Sequence, residues 1–481
     1  MSQLGERGFF LAGTEAKGER WIEVRAPWDQ REVGRVALAN EEQAWAAARL
    51  AAEASAAMAA LPSRKRSEML HAVARAIEAE KESLAAVIIA EAGKPRKAAL
   101  GEVDRAVLTF RTAAEEALRR VGEVLPLDWV PGSEGRWSMV RRFPRGPVLA
   151  ITPFNFPLNL VAHKLAPAIA AGCPVVLKPA PQTPFTAIRL AELIYKAGEA
   201  VGWPQGALSV LHLDNGLAQK LVEENEDIRQ VSFTGSAKVG WELKRIAGKK
   251  SMLLELGGNA AMVVAGDWPD IAGAAKKTVR AATGYAGQSC ISVQRVYVER
   301  PIFHRFIEAA VKEAEALRCG DPADEETDVG PLIRPSDAER VREWVHEAEA
   351  GGATLLAGGG HRESVVAPVI LTGTKPGMKV LDEEVFGPVM VIERFEHFEE
   401  VLAEVNRSQY GLQAGLFTRD AGRIFHAYEQ LEVGGLVVGD TPTWRMDPMP
   451  YGGVKASGMG REGIRYAMEE MTEPRLLVMA L

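Results

Sequence analysis

From Gly146 onward the chain alternates short apolar segments with amphipathic ones, and this alternation constrains the fold more than any other feature. The apolar segments have the length of buried strands and read GPVLAITP, PVVLKPA, ALSVLHL, QVSFTGS and SMLLELGG. Strands that alternate with helices imply right-handed crossovers and a parallel sheet covered on both faces. Open sheets of this kind bind ligands at the carboxyl ends of their strands. We therefore predict an α/β fold with its chemistry at the strand ends.

A second α/β unit is expected soon after Glu255, where the alternation starts again. Its predicted strands are SVQRVYVER, VVAPVILTG, PVMVIERF and GGLVVGD, and its predicted helices cover 270–286, 301–317, 336–350, 399–406 and 421–431. The first 120 residues are mostly helical in pattern, with helices predicted over 41–61, 64–92 and 95–121. Residues 125–142 break the pattern with Pro, Gly and alternating residues, which indicates an extended hairpin or arm.

Composition limits the class of protein and the compartment. A chain of 481 residues suits two or three domains, and 47% hydrophobic with 25% charged residues is ordinary for a globular protein. The net charge of -7 leaves no basic excess to neutralise phosphates, so nucleic acid is not an expected partner. The cysteines are too few for a disulfide framework and lack the CxxC spacing of a zinc site. We expect a reducing, cytoplasmic compartment and no metal.

Neither a secretion signal nor a membrane span is expected. Residues 1–13 mix Glu6 and Arg7 with a very short apolar run and lack a signal's apolar core. The most apolar stretch, 146–177, contains prolines and polar side chains that are costly in lipid, namely Asn155, Asn159, His163 and Lys164. We interpret this stretch as buried strands and a helix, so a membrane is not an expected partner.

Cys290 is a candidate nucleophile. It lies in GYAGQSCIS, at the end of a predicted helix, where glycines would let a substrate approach the sulfur. A thiolate is a strong nucleophile, but cysteine is also among the residues most often buried and inert. Cys173, in the apolar AAGCPVV, and Cys319, at a helix end, fit a structural role better.

Two polar residues at predicted strand ends are candidates to assist a nucleophile. Glu255 ends the apolar strand SMLLELGG, where burial would raise the pKa of its carboxyl into the range of a general base. Its alternative is a carboxylate that faces solvent. Asn155 lies in the strand-to-helix turn ITPFNFPLN, where its amide can donate to a developing oxyanion or cap a helix.

Two further strand ends could hold a nucleotide. FTGSAKVG places Gly235 and Ser236 directly before a helix, whose first backbone amides suit a pyrophosphate, although a tight turn explains the glycine equally well. Lys178 ends the strand PVVLKPA, where it can hold a ribose hydroxyl or a phosphate or simply face solvent.

Seven motifs, in order, resemble the aldehyde dehydrogenase superfamily. They are ITPFNFPLN, VVLKPAPQTP, VSFTGSAKVG, LELGGN, GYAGQSC, EEVFGPV and PYGGVKASGMGREG, and the match runs from about residue 20 to the C-terminus. The resemblance implies a Rossmann-type parallel-sheet domain for NAD or NADP, an α/β catalytic domain and a small β oligomerisation arm. The corresponding boundaries are 1–121 with 145–257, then 258–450, and 122–144 with 465–481.

The resemblance also implies the residue roles. Cys290 would be the nucleophile, Glu255 the base that activates the hydrolytic water, and Asn155 an oxyanion donor together with the Cys290 backbone amide. Lys164 and Glu462 match positions that can relay a proton from the base. The cofactor-binding positions would be Thr152, Phe154, Lys178, Gly235, Ser236, Leu256, Glu384 and Phe386. The reaction would oxidise an aldehyde to a carboxylic acid through a thioester on Cys290.

Two departures from the family pattern bear on selectivity. Pro181 stands three residues after Lys178, where NAD-preferring members often carry a glutamate, so a 2′-phosphate would meet no like-charge repulsion and NADP should be tolerated. His163 stands where many members carry a large aromatic residue. The stretch TPTWRMDPMPYGG resembles the loop of members that act on lactaldehyde, glyceraldehyde-type and related small aldehydes. Its Trp444 and Arg445 are candidate pocket residues, and Arg445 would meet an anionic or hydroxylated substrate or form an ion pair with Asp440 or Asp447.

Two other readings stay open at the level of sequence. A CoA-acylating member would pass the thioester to CoA, but such members usually lack the carboxylate base that Glu255 would supply. A non-catalytic protein of the same fold would tend to have lost the nucleophile, which this chain retains. The resemblance further implies a homodimer or a homotetramer, between which the sequence does not choose. The arm near 125–142 and the apolar segment PRLLVMAL would pair across its interface, since an apolar terminal strand needs a partner edge.

Overall fold

The computed structural model describes residues 3–119 and 121–480, so Met1, Ser2, Arg120 and Leu481, which our predicted boundaries include, lie outside the described residues. The strands of the described chain are β1 (Gly5–Arg7), β2 (Phe9–Leu11), β3 (Thr14–Ala16), β4 (Trp21–Arg25), β5 (Glu32–Ala37), β6 (Arg136–Pro144), β7 (Val148–Ile151), β8 (Val175–Lys178), β9 (Leu208–Val210), β10 (Gln230–Thr234), β11 (Ser251–Glu255), β12 (Ala260–Val264), β13 (Val293–Glu299), β14 (Thr354–Ala357), β15 (His361–Arg362), β16 (Val365–Val366), β17 (Val369–Thr372), β18 (Val389–Phe395), β19 (Tyr410–Gly411), β20 (Gln413–Phe417), β21 (Gly435–Val438), β22 (Val454–Lys455), β23 (Gly458–Met459) and β24 (Thr472–Ala480).

The α-helices of the same residues lie between these strands. They are α1 (Glu41–Ala60), α2 (Ser63–Ala79), α3 (Lys81–Ala92), α4 (Arg96–Glu116), α5 (Asn159–Ala171), α6 (Pro184–Glu199), α7 (Asn215–Glu224), α8 (Ala237–Ile246), α9 (Ile271–Thr283), α10 (Phe303–Ala316), α11 (Pro335–Ala350), α12 (Lys379–Asp382), α13 (Phe398–Asn406), α14 (Ala421–Gln430) and α15 (Ile464–Glu470).

The first large sheet contains the strands predicted from the opening alternation. Its strand order in the described chain is β23-β11-β10-β7-β8-β9-β2-β3. The neighbours from β11 to β9 run parallel, with Thr234 opposite Glu255 and Ile151 opposite Lys178. These pairings bring the carboxyl ends of β7, β8, β10 and β11 to one edge, and the predicted parallel α/β fold is confirmed.

The second large sheet has the order β14-β17-β18-β13-β12-β20-β21 among the residues described. Its strands run parallel from β17 to β21, and β14 is antiparallel. The central strands β12 and β20 were not predicted. A short loop without a helix joins β11 to β12, which belong to different sheets, so the alternation in sequence does not mark the transition.

Both faces of each sheet are covered, as a parallel sheet requires. Successive residues of β7 enter different apolar clusters, Val148 and Ala150 on one face and Leu149 and Ile151 on the other. Strand β12 alternates in the same way between clusters on its two faces. Because side chains of a strand point alternately to opposite faces, helices must pack on both sides.

The N-terminal region differs in part from the sequence prediction. Helices α1 to α4 confirm the helical pattern, but the predicted helix over 64–92 is divided at Glu80 into α2 and α3. Strands β1 to β5, between Gly5 and Ala37, were not predicted. Strands β2 and β3 extend the first large sheet, whereas β1, β5 and β4 form a small sheet of their own. Strands β1, β2 and β3 have only three residues each, too few to display a period of two, and the buried positions of β5 do not alternate with exposed ones.

The arm is a two-stranded ribbon formed within one chain. Strand β6 pairs antiparallel with β24 over the register from Thr472↔Pro144 to Ala480↔Arg136. The two segments that we expected to pair across a subunit interface therefore pair with each other. The hairpin or arm predicted at 125–142 is extended at its C-terminal end only, since residues 124–135 are not in strands. Large apolar side chains on and beside the ribbon are exposed, including Trp129 at 83% and Leu476 at 55%.

The apolar stretch 146–177 lies in the protein interior. Every residue of α5 is buried, including His163 and Lys164. Along the chain this helix lies between β7 and β8. This confirms our interpretation of the stretch as strands and a buried helix. Among residues 3–119 and 121–480, a helix with both the length and the apolar character needed to span a membrane is not found.

Candidate active site

A cleft of about 560 Å³ opens at the carboxyl ends of β7, β10 and β11. Loops before β13 and β18 and a loop near the C-terminus close its other side. Of the residues predicted for the site, the cleft brings together Phe154, Asn155, Gly235, Ser236, Glu255, Leu256, Cys290, Glu384, Phe386, Arg445 and Glu462. Thr152, His163, Lys164, Lys178, Pro181 and Trp444 do not belong to the described lining of the cleft.

Cys290 belongs to this lining and follows a tightly turned loop. The backbone of Tyr285 and Ala286 has positive φ (50° and 52°), and Gly287 follows with φ 71°. A Cβ on Gly287 would lie 2.0 Å from the Gly387 carbonyl oxygen, so only glycine fits there. The Cys290 side chain is partly exposed to the cleft, and its Sγ lies 3.0 Å from the Tyr451 hydroxyl. Burial raises the pKa of the thiol to about 11, although the Tyr451 hydrogen bond opposes that rise.

The other two cysteines do not belong to the described lining of the cleft. The thiol of Cys173 is buried and donates to the Met471 carbonyl at 3.3 Å, and Cys319 lies on the surface. The three cysteines all fall within the described residues and form no disulfide with one another.

Glu255 is a buried carboxyl with an unusual environment. Its side chain is 3% exposed, and neither carboxyl oxygen has a hydrogen-bond partner within the described part of the chain. Burial raises the pKa of Glu255 well above its ordinary value, and the negative charge of Glu462 adds to the rise. The pKa of the carboxyl is thus shifted in the direction that a general base requires, and the alternative of a solvent-facing glutamate is wrong.

Glu462 forms a buried ion network beside Glu255. The Lys164 ammonium lies 2.8 Å from Glu462 Oε1, and the Arg445 guanidinium lies 3.4 Å from Oε2. Burial opposes ionisation, but Lys164, His163 and Arg445 hold the pKa of Glu462 low, at about 2. Glu462 is therefore held in its ionised form, whereas ionisation of Glu255 is disfavoured.

Arg445 and His163 have partners that the sequence did not identify. The Arg445 guanidinium pairs with Glu462 rather than with Asp440 or Asp447, and it lies 3.6 Å from the centroid of the Tyr451 ring. The His163 Nε2 lies 3.0 Å from Asp447. His163 is therefore buried and does not belong to the described lining of the cleft, whereas the Trp444 side chain is 49% exposed.

Two candidate donors for an oxyanion belong to residues of the same cleft as the sulfur. The Asn155 Nδ2 group donates to the Gln288 carbonyl at 3.0 Å, which uses one of its two hydrogens. Within residues 3–119 and 121–480 the backbone amide of Cys290 has no hydrogen-bond acceptor. A carbonyl oxygen placed between these two groups would receive hydrogen bonds from both.

Lys94 connects the two loops that carry these donors. Its ammonium is fully buried, forms an ion pair with Glu102, and lies 3.7 Å from the Phe156 ring centroid and 4.5 Å from that of Tyr285. Phe156 follows Asn155, and Tyr285 precedes Cys290 on its loop. Glu102 Oε1 also accepts from the backbone amides at the start of α5, those of Leu158 (2.9 Å) and Asn159 (3.1 Å).

A second region of the cleft fits a dinucleotide. Gly235 and Ser236 precede α8, Ser236 makes no side-chain capping bond, and the buried Thr234 hydroxyl has no partner among the residues described. Such a helix N-terminus supplies backbone amides and a positive dipole end to a phosphate. Strand-end hydroxyls and amides without partners are what a bound pyrophosphate would satisfy.

Glu384 and Phe386 form the opposite end of this region. The amide of Gly258 donates to Glu384 at 3.0 Å, and a Cβ on Gly257 would overlap the Glu384 carboxyl, at 2.2 Å. Burial raises the pKa of Glu384 to about 7. The rings of Phe154 and Phe386 meet edge to face, with centroids 6.0 Å apart. A carboxyl acceptor and a flat apolar wall are features that suit a ribose and a planar ring.

The remaining predicted cofactor positions lie further along the strand-end edge. Lys178 is buried, and its ammonium donates to Asn215 at 3.0 Å. The Thr152 hydroxyl is buried without a partner in the described chain, and Pro181 is half-buried. This edge is continuous with the cleft through β7, although the cleft lining itself does not include these residues.

Sequence reasoning missed Tyr451, Arg105 and Lys94, all of which line the cleft. Tyr451 belongs to the motif PYGGVKASGMGREG, so that motif was its available signal. Lys94 lies between α3 and α4, and Arg105 lies in α4. In the sequence both are indistinguishable from surface charges, and only packing places them at the site.

The fold and this cleft define the class of the protein, an α/β enzyme that holds a thiol, a buried carboxyl and oxyanion donors in one cavity. The family model described as "Aldehyde dehydrogenase family" matches residues 14–477. The chain belongs to this family and is an oxidoreductase that acts on the aldehyde group. The family and the enzyme class inferred from the sequence are therefore confirmed.

The names of similar proteins state an aldehyde, a reaction product or a cofactor. The chain is 42% identical to the 3-sulfolactaldehyde dehydrogenase of Priestia aryabhattai over 481 residues, 100% of this chain and 99% of that protein. The structure of aldehyde dehydrogenase 21 from Physcomitrella patens, in complex with the product succinate, matches with a TM-score of 0.96 at 39% identity, covering 99% of this chain and 98% of that one. The structure of the glyceraldehyde-3-phosphate dehydrogenase GapN from Methanocaldococcus jannaschii, complexed with NADP, matches with a TM-score of 0.92 at 38% identity, covering 96% of this chain and 100% of that one.

Proposed function

We propose that the protein oxidises a small hydroxylated or anionic aldehyde to its carboxylic acid, with Cys290 as nucleophile and Glu255 as the base for hydrolysis. The observation that carries this proposal is the shared cleft of the Cys290 thiol, the Glu255 carboxyl and the free Cys290 amide. A cysteine, a base and oxyanion donors are the groups that acyl chemistry through a thioester needs.

In the first step the Cys290 thiolate adds to the aldehyde carbon. A sulfur–carbon bond forms, the carbonyl π bond opens, and its electron pair moves to the oxygen. Asn155 Nδ2 and the Cys290 amide donate to that oxygen, so the negative charge meets donors that are already in place.

The residues that would hold NAD or NADP are the N-terminus of α8 with Ser236, for the pyrophosphate, and Glu384 with Phe386, for the nicotinamide ribose and ring. Thr152, Phe154, Gly235, Leu256 and Lys178 are the further positions proposed to contact it. A bound nicotinamide would accept the hydride that leaves the former aldehyde carbon, and with that loss the oxyanion would re-form its carbonyl and leave a thioester on Cys290. In this proposal the cofactor domain comprises 1–121 and 145–257, and the catalytic domain 258–450.

Glu255 then acts on water. Its carboxylate takes a proton from a water molecule, the water oxygen attacks the thioester carbon, and the thiolate of Cys290 leaves with the electron pair of the broken bond. Lys164 and Glu462, which form an ion pair next to Glu255, are the positions proposed to relay the proton after this step, with Glu462 ionised and therefore able to accept it. Release to water rather than to CoA is supported by the presence of this base in the cleft.

The substrate class follows from the charges of the cleft. Arg105 lines it with a side chain that is 34% exposed, and its contact with Asp447 is long, at 3.5 Å. Because the Arg445 guanidinium forms an ion pair with Glu462, Arg105 is the better placed cation for a substrate anion. The sulfonate named for the 42% identical relative and the succinate named for the plant structure are both anionic.

The decisive experiment replaces the nucleophile. Cys290→Ala is expected to abolish reduction of NAD(P) while leaving the dinucleotide dissociation constant, measured by fluorescence titration, within about twofold. Cys319→Ala, a surface cysteine, is the matched control and should keep wild-type turnover. Turnover that survives in Cys290→Ala refutes the proposed role of the sulfur.

An aldehyde panel assayed separately with NAD, NADP and CoA tests the finer assignments. Lactaldehyde and 3-sulfolactaldehyde form a neutral and an anionic pair, and Arg105→Gln should lower kcat/KM for the anionic member only. We propose use of both dinucleotides because Pro181 replaces a carboxylate that would repel a 2′-phosphate. A kcat/KM with NAD that exceeds the value with NADP by more than about a hundredfold, roughly 3 kcal/mol, would contradict the use of both dinucleotides. A requirement for CoA would favour the acylating alternative.

We further propose a homodimer or homotetramer in the cytoplasm. The apolar side chains exposed on the arm, 122–144 with 465–481, support assembly through that element. The absence of disulfides among the three cysteines, all of them described, supports a reducing compartment.

A further inference from the structure

We propose that Tyr451 is a further catalytic residue, whose hydroxyl holds the Cys290 sulfur in place and stabilises the thiolate by donating a hydrogen bond to it. This inference rests on the proposed role of Cys290 as nucleophile. It concerns a contact between residues that are 161 positions apart in the sequence and that meet only in the folded chain.

The geometry is that of a hydrogen bond to sulfur. The Tyr451 hydroxyl oxygen lies 3.0 Å from Cys290 Sγ. The Tyr451 side chain is 4% exposed and packs with Ile291 and Leu412 in one apolar cluster, which fixes the ring and therefore the hydroxyl. In the thiol state either group can donate. Once the S–H proton is released to solvent, the sulfur can only accept, and the phenol becomes its donor.

The phenol keeps its own proton under these conditions. Burial raises the pKa of Tyr451 well above its ordinary value, and a negative charge on Cys290 raises it further. The hydroxyl is therefore a donor throughout the range in which the enzyme works, rather than a competing acid.

Arg445 strengthens this donor. Its guanidinium lies flat over the Tyr451 ring, 3.6 Å from the centroid, in the arrangement of a cation–π contact. A positive charge on the ring face withdraws electron density from the phenol and so makes its O–H more polar. The same charge also acts directly on the sulfur and favours its ionised form.

Other groups around Cys290 disfavour its thiolate, so the thiolate needs a donor that compensates for them. The carboxyls of Glu384 and Glu255 face the same sulfur, and each disfavours a thiolate when it is ionised. Burial disfavours the thiolate still more, so that few Cys290 sulfurs would be ionised at neutral pH without a compensating donor. Tyr451 and Arg445 are the groups described around Cys290 that act in the favourable direction.

The consequence for the rate can be estimated. For a thiol whose pKa lies above the ambient pH, each unit of decrease gives about tenfold more thiolate and costs about threefold in intrinsic nucleophilicity, a net gain of about threefold. A hydrogen bond to an ionised group is worth about one to two such units. The hydroxyl should therefore raise the rate of addition about threefold to tenfold at neutral pH.

The test is Tyr451→Phe, which removes the hydroxyl and keeps the ring under Arg445. The rate of iodoacetamide alkylation of Cys290 is measured against pH, with Cys290→Ala to identify the signal of this thiol. The midpoint should move up by about one unit or more in Tyr451→Phe, and kcat/KM should fall about threefold to tenfold at pH 7, with a smaller loss only as the pH approaches the pKa of the thiol. Tyr428→Phe, at a tyrosine 72% exposed on α14, is the matched control and should move neither.

The outcomes separate this inference from the proposed function. An alkylation midpoint that is the same in Tyr451→Phe and wild type overturns the role of Tyr451, while an inactive Cys290→Ala would still support the nucleophile. Turnover in Cys290→Ala overturns the proposed function itself. A thermal melt and a dinucleotide titration of Tyr451→Phe, both expected to match wild type, show that a shifted midpoint does not come from a distorted fold.

Discussion

At the scale of single residues, the site depends on two buried carboxyls that differ in their neighbours. Glu462 is surrounded by Lys164, His163 and Arg445 and stays ionised, whereas Glu255 has no hydrogen-bond partner among the described residues and its ionisation is disfavoured. When their environments move the pKa values of two carboxyls apart, one carboxyl stays ionised and the other can take part in proton transfer. Two residues of the same type in one cleft thus have different ionisation states.

A pH profile tests this division of roles. The raised pKa of Glu255 means that its carboxylate, the basic form, appears only as the pH rises through a value well above 4.5. Hydrolysis of the thioester should therefore be slow on the acid side and increase with pH through that value. In Glu255→Gln, kcat should fall by about 10² to 10⁴, the usual contribution of a general base, and this limb of the profile should disappear.

The measurement is the time course of reduced cofactor after rapid mixing. Glu255→Gln should give an initial burst of about one equivalent per site followed by slow turnover, because acylation precedes the step that needs the base. Glu308→Gln, on the exposed side of α10, is the control and should show no change. A variant that keeps the acid limb would show that the limb belongs to another group.

At the scale of elements, the cleft is assembled by loops that buried groups hold together. The start of α5 is fixed through Glu102, and the loop before Cys290 is fixed through Tyr285, whose hydroxyl donates to the Ala92 carbonyl at 2.7 Å. Lys94 lies between these loops. The positions of both oxyanion donors therefore depend on one ion pair in α4 and the segment before it.

Removal of the Lys94 charge should damage both stability and rate. Lys94→Met leaves the Glu102 carboxylate buried without its cation, which typically costs about 3–5 kcal/mol, so we expect a clear fall in the midpoint of thermal unfolding. Because the oxyanion loops lose their common support, kcat should fall more than the dissociation constant for NAD(P) rises. Thermal melts and steady-state kinetics measure the two effects.

The double variant Lys94→Met with Glu102→Gln provides the control. The side-chain amide introduced at position 102 can still accept hydrogen bonds from the backbone amides of Leu158 and Asn159. Neither position 94 nor position 102 then carries a charge. Most of the lost stability should return. Equal melting of the single and double variants would show that an unpaired charge is not the cause.

At the scale of the whole molecule, the arm leaves much of its apolar surface exposed. Its ribbon is only two strands wide, and such a ribbon is marginal in water without further packing. Trp129, Val130, Leu476 and Val478 are exposed at 83%, 62%, 55% and 45%. This pattern favours association with another copy of the chain.

A pair of charged substitutions tests this association. Leu476→Asp with Val478→Asp places two charges on one face of β24, because residues two apart share a face of a strand. We expect sedimentation equilibrium to give a smaller species than wild type, with an unchanged circular dichroism spectrum. Ala59→Asp, at an exposed position of α1, adds a charge elsewhere and should leave the mass unchanged. An unaltered mass in the β24 variant would exclude the arm as the interface.

The sequence by itself determined the elements and most of the residues that carry chemistry. Strand and helix alternation depends on local periodicity, so β7 to β11, α5 and the strand-end positions of Asn155, Gly235 and Glu255 could be predicted. The central strands β12 and β20 could not, because membership of a sheet depends on partners distant in the chain.

Only the tertiary structure decided which of these residues meet and in what electrostatic state. The contact of Tyr451 with Cys290, the ion pair of Arg445 with Glu462 and the position of Lys94 between two loops all join segments far apart in sequence. Their chemistry depends on burial and on distances of a few ångströms, since desolvation and nearby charge set ionisation. Local patterns carry no such distances, so the sequence named the groups and packing assigned their charges and partners.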